Sequence, residues 1–93
     1  SLRGEEGKRR IQAIMDGLRA RPPEAIDGKR VVLSRDYREG VERDLESGET
    51  RSLTLPSSNV LAFFLEDGTR IIARPSGTDP KIKFYVDVRL PVR

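Results

Sequence analysis

The chain has no cysteine and no histidine. Without cysteine, no disulfide can reinforce the core. Without histidine, the commonest general base and the commonest zinc ligand are both gone. Apolar runs are short. None approaches the ~20 residues that a bilayer crossing needs, and the opening "SLRGEEGKRR" carries no signal-peptide pattern. The sequence therefore reads as a soluble chain with no membrane partner, and the cytoplasm is its expected location. Ninety-three residues amount to one small domain, residues 1–93. A chain of this size buries only about 60–65% of its unfolded surface, so one helical layer on one sheet is the expected limit.

What is present is charge. Charged residues make up 35% of the chain and apolar residues another 35%, with a net charge of +3. The balance shifts along the sequence. Residues 68–93 hold Arg70, Arg74, Lys81, Lys83, Arg89 and Arg93 against only Asp79 and Asp87. That third forms a field that attracts anions.

In "RRIQAIMDGLRARPP", Ile11, Ile14, Met15 and Leu18 recur at helical spacing. The spacing predicts a helix near 6–20 that turns Arg9, Arg10, Asp16 and Arg19 to water and stops at Pro22 and Pro23. Asp27-Gly28 signals a turn before a short strand at Val31 to Leu33. Residues 38–58 are charged and weak in either period. They read as an irregular excursion, with a strand at most near Arg51 to Leu55. The acidic residues there (Glu39, Glu42, Asp44, Glu46 and Glu49) read as a solvated loop and not as a metal site. "NVLAFFLEDGTRIIARP" reads as a hairpin turning at Asp67-Gly68. In the last strand Ile82, Phe84, Val86 and Val88 alternate with Lys83, Tyr85, Asp87 and Arg89, so one face should pack under the helix. The expected fold is α+β: a small antiparallel sheet of about four strands with a helix on one face.

Between the last two strands lies "RPSGTDPK", Arg74 to Lys81. Pro75 and Pro80 fix φ at both ends. Gly77 lacks a Cβ and can take a positive φ, which opens its backbone N–H to an anion. Ser76 and Thr78 offer hydroxyls, and Arg74 offers a planar fork that matches phosphate oxygens. Lys81 and Lys83 add charge. Asp79 has no acidic partner at catalytic spacing and reads as a brace for the turn. The same residue types also make ordinary tight turns. The residues alone leave both a phosphate site and a plain connection open.

"RPSGTDPKIKFYVDV" closely resembles the phosphate-binding loop and following strand of the α-D-phosphohexomutases, a family that includes phosphoglucomutase and phosphomannomutase. Arg74, Pro75, Ser76, Gly77, Thr78 and Pro80 match the loop pattern. Asp79 stands where the family usually has Glu. "LPSSNVLAFFLEDGTRIIARPSGTDPKIKFYV" is most similar to the phosphoglucomutase/phosphopentomutase branch, and "GKRRIQAIMDGLRARPPEAIDGKRVV" resembles the preceding helix and strand.

The resemblance implies the fourth, C-terminal domain of a phosphosugar mutase, with a fold like that of the TATA-binding protein. It implies a phosphate site at Arg74, Ser76, Gly77, Thr78, Lys81 and Lys83 that holds the non-reacting phosphate. Its partners would be a phosphosugar and the enzyme's other domains. No residue matching the family's phosphoserine, magnesium or sugar-reading motifs is present. The resemblance thus places catalysis and magnesium in other domains, with no catalytic or metal residue and no cofactor in this chain. It also implies a further helix after the last strand, where this chain reads "RLPVR".

Two other classes remain open from the residues. One is a small basic nucleic-acid-binding module, for which Tyr85 alone on the polar strand face is a poor stacking platform. The other is a purely structural or interaction domain. No nucleic acid is the expected partner.

Overall fold

The structure, a computed structural model, describes residues 2–88, the side chains of Leu2 and Arg3 excepted. Arg89 and the "RLPVR" end lie outside the described residues.

Helix α1 spans Leu2–Ala20. Met15 is fully buried, Leu18 packs against the core, and Ile11 is half-buried. These three residues lie at i, i+4 and i+7. Ile14, expected on the same stripe, is 50% exposed, because only a narrow strip of the helix touches the sheet. Arg19, expected in water, is instead buried, with its side chain 8% exposed. Its Nε donates to Asp36 Oδ1 at 3.0 Å and its Nη2 to Asn59 Oδ1 at 2.8 Å. The last turn closes with Arg21 N–H donating to the Gly17 carbonyl at 2.9 Å, and the two prolines follow.

Seven strands follow the helix among the described residues, not four. They are β1 Ala25–Ile26, β2 Lys29–Asp36, β3 Val41–Asp44, β4 Thr50–Ser52, β5 Leu61–Leu65, β6 Arg70–Pro75 and β7 Ile82–Asp87. Six run in the order β4-β3-β2-β5-β6-β7, every pairing antiparallel, while β1 pairs with the start of β2. The α+β class therefore stands, with a wider sheet.

β4 overlaps the strand expected near Arg51 to Leu55 at Arg51 and Ser52 only, and the extra strands escaped the hydrophobic pattern for a physical reason. β1 has only two residues. β3 and β4 are held by charge on their outer face, where Glu42 is buried and its carboxylate meets Arg35 Nε at 2.8 Å and Arg51 Nε at 3.8 Å. Glu42 is thus no solvated loop residue. Asp44 does cap a turn, its Oδ1 accepting the N–H groups of Glu46 and Ser47.

Asp27 and Gly28 join β1 to β2 with φ of 53° and 76°. Positive φ at both central residues matches the right-handed twist of the strands. Residues directly opposite in a ladder share a face. Leu61, Phe63, Leu65, Ile71 and Ala73 lie on the helix face and form the core with Met15 and Val31. Phe84 and Val86 stand opposite Ala73 and Ile71, on that same face. The expected alternation of β7 is therefore correct, but its burial is not. Only Ile82 packs partly against the core, while Phe84, Val86 and Val88 are each about 60% exposed. Helix α1 packs chiefly against β6 and leaves most of the edge strand uncovered.

Candidate functional site

The chain leaves β6 at Pro75 and enters β7 at Ile82, and these two residues are themselves ladder partners. The intervening loop is braced from within. Ser76 Oγ accepts the N–H of Asp79 at 3.3 Å and, more loosely, that of Thr78 at 3.4 Å. Ser76 N–H donates to the Lys81 carbonyl at 2.8 Å, and Lys81 N–H donates to the Asp79 carbonyl at 2.8 Å. The brace is thus the serine oxygen and not the Asp79 carboxylate, which instead pairs with Lys81 Nζ at 3.5 Å. A hydroxyl that accepts backbone bonds still has its own O–H to donate.

Gly77 departs from expectation in one respect. Its φ is not in the positive region, and a Cβ built there meets nothing within 4 Å. The turn itself does not demand glycine. Gly77 and Thr78 are exposed at the tip.

The register brings the loop-mouth cations together. Arg74 stands directly opposite Lys83, on the face away from the helix. Neither makes an ion pair among the described residues. Arg74 Nη2 donates to Tyr85 Oη at 3.2 Å, and its guanidinium lies 5.4 Å from the centre of the Tyr85 ring. Tyr85 was not among the expected site residues. The alternation that put Lys83 and Tyr85 on one face was a signal for it, but the ladder register was needed to place both beside Arg74. Arg70, at the start of β6, is committed elsewhere, with its Nη2 3.2 Å from Asp87 Oδ2.

The site residues thus fall into two groups. Arg74 and Lys83 meet on the outer sheet face. Ser76, Gly77, Thr78 and Lys81 follow in the loop above them. On its other side the loop borders a small cleft of about 180 Å3, walled by Lys8, Gln12, Asn59, Ser76, Asp79 and Pro80 among others. A larger cavity of about 440 Å3 lies away from the loop, beside Arg19, Asp36, Arg38 and Arg43. Two of its three arginines are already paired: Arg19 bonds Asp36, and Arg38 Nη1 reaches Asp16 Oδ1 at 3.3 Å. Size alone does not make it the better candidate. Among the described residues no group of three or more acidic side chains could hold a metal ion, and no helix is long and apolar enough to cross a membrane.

Residues 5–91 match the family model described as phosphoglucomutase/phosphomannomutase, C-terminal domain. A phosphoglucomutase of Staphylococcus aureus (strain bovine RF122 / ET3-1) is 41% identical over 91 residues, which is 98% of this chain and 16% of that protein. A phosphoglucomutase of Staphylococcus epidermidis is 38% identical over 88 residues, 95% of this chain and again 16% of the relative. The chain therefore spans about one-sixth of the length of these relatives. No solved structure matches significantly.

Proposed function

Because the chain belongs to the family of phosphoglucomutase/phosphomannomutase C-terminal domains, we propose that it is the phosphate-holding part of a phosphosugar mutase of the phosphoglucomutase type. We read its helix-on-sheet arrangement as the TATA-binding-protein-like domain that the resemblance implies.

The observation that carries this reading is the direct pairing of Arg74 with Lys83. Like charges opposite each other in an antiparallel ladder are destabilising. A phosphate dianion at the loop mouth removes that penalty and converts it into binding. Arg74 supplies parallel N–H donors, while Lys83 and Lys81 supply field. The Ser76 and Thr78 hydroxyls and the Gly77 backbone N–H complete a donor set with no acidic residue aimed at chemistry. Such a site grips a phosphate without activating it. In the intact enzyme it holds the non-reacting phosphate while other domains, which also hold the magnesium, move the phosphoryl group. A loop that reads charge and leaves the sugar unread accepts the phosphate at either end of a bisphosphorylated intermediate.

The test is a titration of the 15N-labelled chain. Glucose 1-phosphate and inorganic phosphate should shift the amides of Ser76 to Lys81 saturably, and glucose should not. Loop amides that ignore phosphate in a folded chain overturn the reading.

A further inference from the structure

Two glycines of helix α1, Gly7 and Gly17, differ in what surrounds them. Each lowers intrinsic helix propensity by about 1 kcal/mol relative to alanine. At Gly17 a Cβ would meet nothing within 4 Å. At Gly7 a Cβ would lie 2.6 Å from Pro80 Cβ and 3.0 Å from Pro80 Cγ. Gly7 lies four residues before Ile11 and eight before Met15, on the inward stripe of the helix, whereas Gly17 is exposed. The contact thus joins the first turns of the helix to the far end of the phosphate loop, about 70 residues further along the chain.

Resting on the reading of that loop as a phosphate site, we propose that Gly7 is a positioning residue for it: by letting the helix backbone lie against the Pro80 ring, it sets where the loop's donors stand. Pro80 is a suitable point of control. Its ring has no flexible end that could swing aside, so a side chain at Gly7 must displace either helix or loop. The displacement does not stop at Pro80. The next residue, Lys81, is bonded to Ser76 through backbone groups at 2.8 Å, and Ser76 Oγ accepts the N–H of Asp79. The loop therefore shifts as a unit, carrying Ser76 and Thr78 with it. Lys8, the neighbour of Gly7, lines the cleft shared with Ser76 and Asp79, so helix and loop already form one wall there.

Gly7→Ala and Gly17→Ala should separate positioning from stability. Both add helix propensity. Gly17→Ala should raise the melting temperature and leave the phosphate affinity of the chain unchanged. Gly7→Ala should weaken binding of inorganic phosphate about tenfold or more, because displaced donors lose their aim. It should also move the amide resonances of Ser76, Thr78 and Asp79 before any phosphate is added. Pro80→Gly removes both clashing atoms. In that background, adding Gly7→Ala should change affinity by no more than about twofold, since contacting residues do not act additively. A wild-type chain that binds no phosphate overturns the proposed function and this inference with it. A wild-type chain that binds phosphate, together with a Gly7→Ala chain that binds it equally well, overturns only the role of Gly7. An undiminished Gly7→Ala effect in the Pro80→Gly background does the same.

Discussion

Arg74 and Tyr85 form a pair on the outer face of the sheet: the guanidinium donates to the phenol oxygen at 3.2 Å and rests 5.4 Å from the ring centre. One edge of the fork is thereby engaged by Tyr85, which lies further from the loop than Lys83 does, and among the described residues no carboxylate pairs with Arg74.

Removing Arg74 should therefore matter more than removing its neighbour Arg70. A hydrogen bond to a charged group contributes about 1.5–3 kcal/mol, so Arg74→Ala should weaken phosphate binding roughly 10- to 150-fold. Arg74→Lys should recover part of this, because the charge returns without the fork. Arg70 already pairs with Asp87, so Arg70→Ala should leave binding within about twofold. Calorimetric titration of the three variants distinguishes them. Equal losses at Arg70 and Arg74 would mean that the loop-mouth geometry is not what binds.

The buried helix anchor makes a different prediction. Arg19 is bonded to Asp36 and Asn59, and Asp36 Oδ1 also accepts the N–H groups of Arg38 and Glu39. Arg19→Ala leaves a partly buried carboxylate without its cation and should destabilise the chain by about 3 kcal/mol. Urea denaturation measures this. The expected signature is a lower midpoint with an unchanged slope.

Core and edge should respond unequally to truncation. Met15 is fully buried, so Met15→Ala should cost about 2–5 kcal/mol. Phe84 is 58% exposed on an edge strand, and Phe84→Ala should cost less than about 1 kcal/mol despite the larger side chain removed. The same denaturation series checks both. A Phe84 penalty equal to that of Met15 would show the edge strand to be covered in solution.

The Lys29–Asp67 pair, 2.8 Å apart, sets a pH window. The Lys29 hydrogen bond, aided by Thr69, holds the Asp67 carboxyl well below the usual aspartate range. The same bond raises Lys29 above its ordinary value. A depressed acid contributes stability that is present above its unfolded pKa of about 4 and lost as pH falls below it. A raised base contributes stability that is present below its unfolded pKa of about 10.4 and lost as pH climbs past it. Melting temperature should therefore be flat between these limits and fall outside them. Asp67→Asn should make both limbs shallower, with Asp16 and Asp44, whose carboxyls are also held low, still contributing to the acid one, and unchanged limbs in that variant would exclude the pair as a contributor.

Much of this architecture is written locally. Helix α1 and its stop follow from apolar spacing and from Pro22 and Pro23. The Asp27-Gly28 and Asp67-Gly68 turns follow from residues that tolerate positive φ. The inward face of β7 follows from strict alternation, and the loop's donor types are legible from Arg74 to Lys83. Each of these depends on neighbours within a few positions. Tertiary structure decided what depends on distant partners. β3 and β4 form because Glu42 finds Arg35 and Arg51 across two ladders, which no hydrophobic period announces. Arg19 is buried because Asp36 and Asn59 satisfy it. Phe84 and Val86 stay exposed because the helix packs chiefly against β6. The meeting of Arg74, Lys83 and Tyr85, and the approach of Gly7 to Pro80, exist only once strand register and helix placement are set. Pairing across a sheet and packing of one element on another join residues whose sequence separation carries no periodic signal.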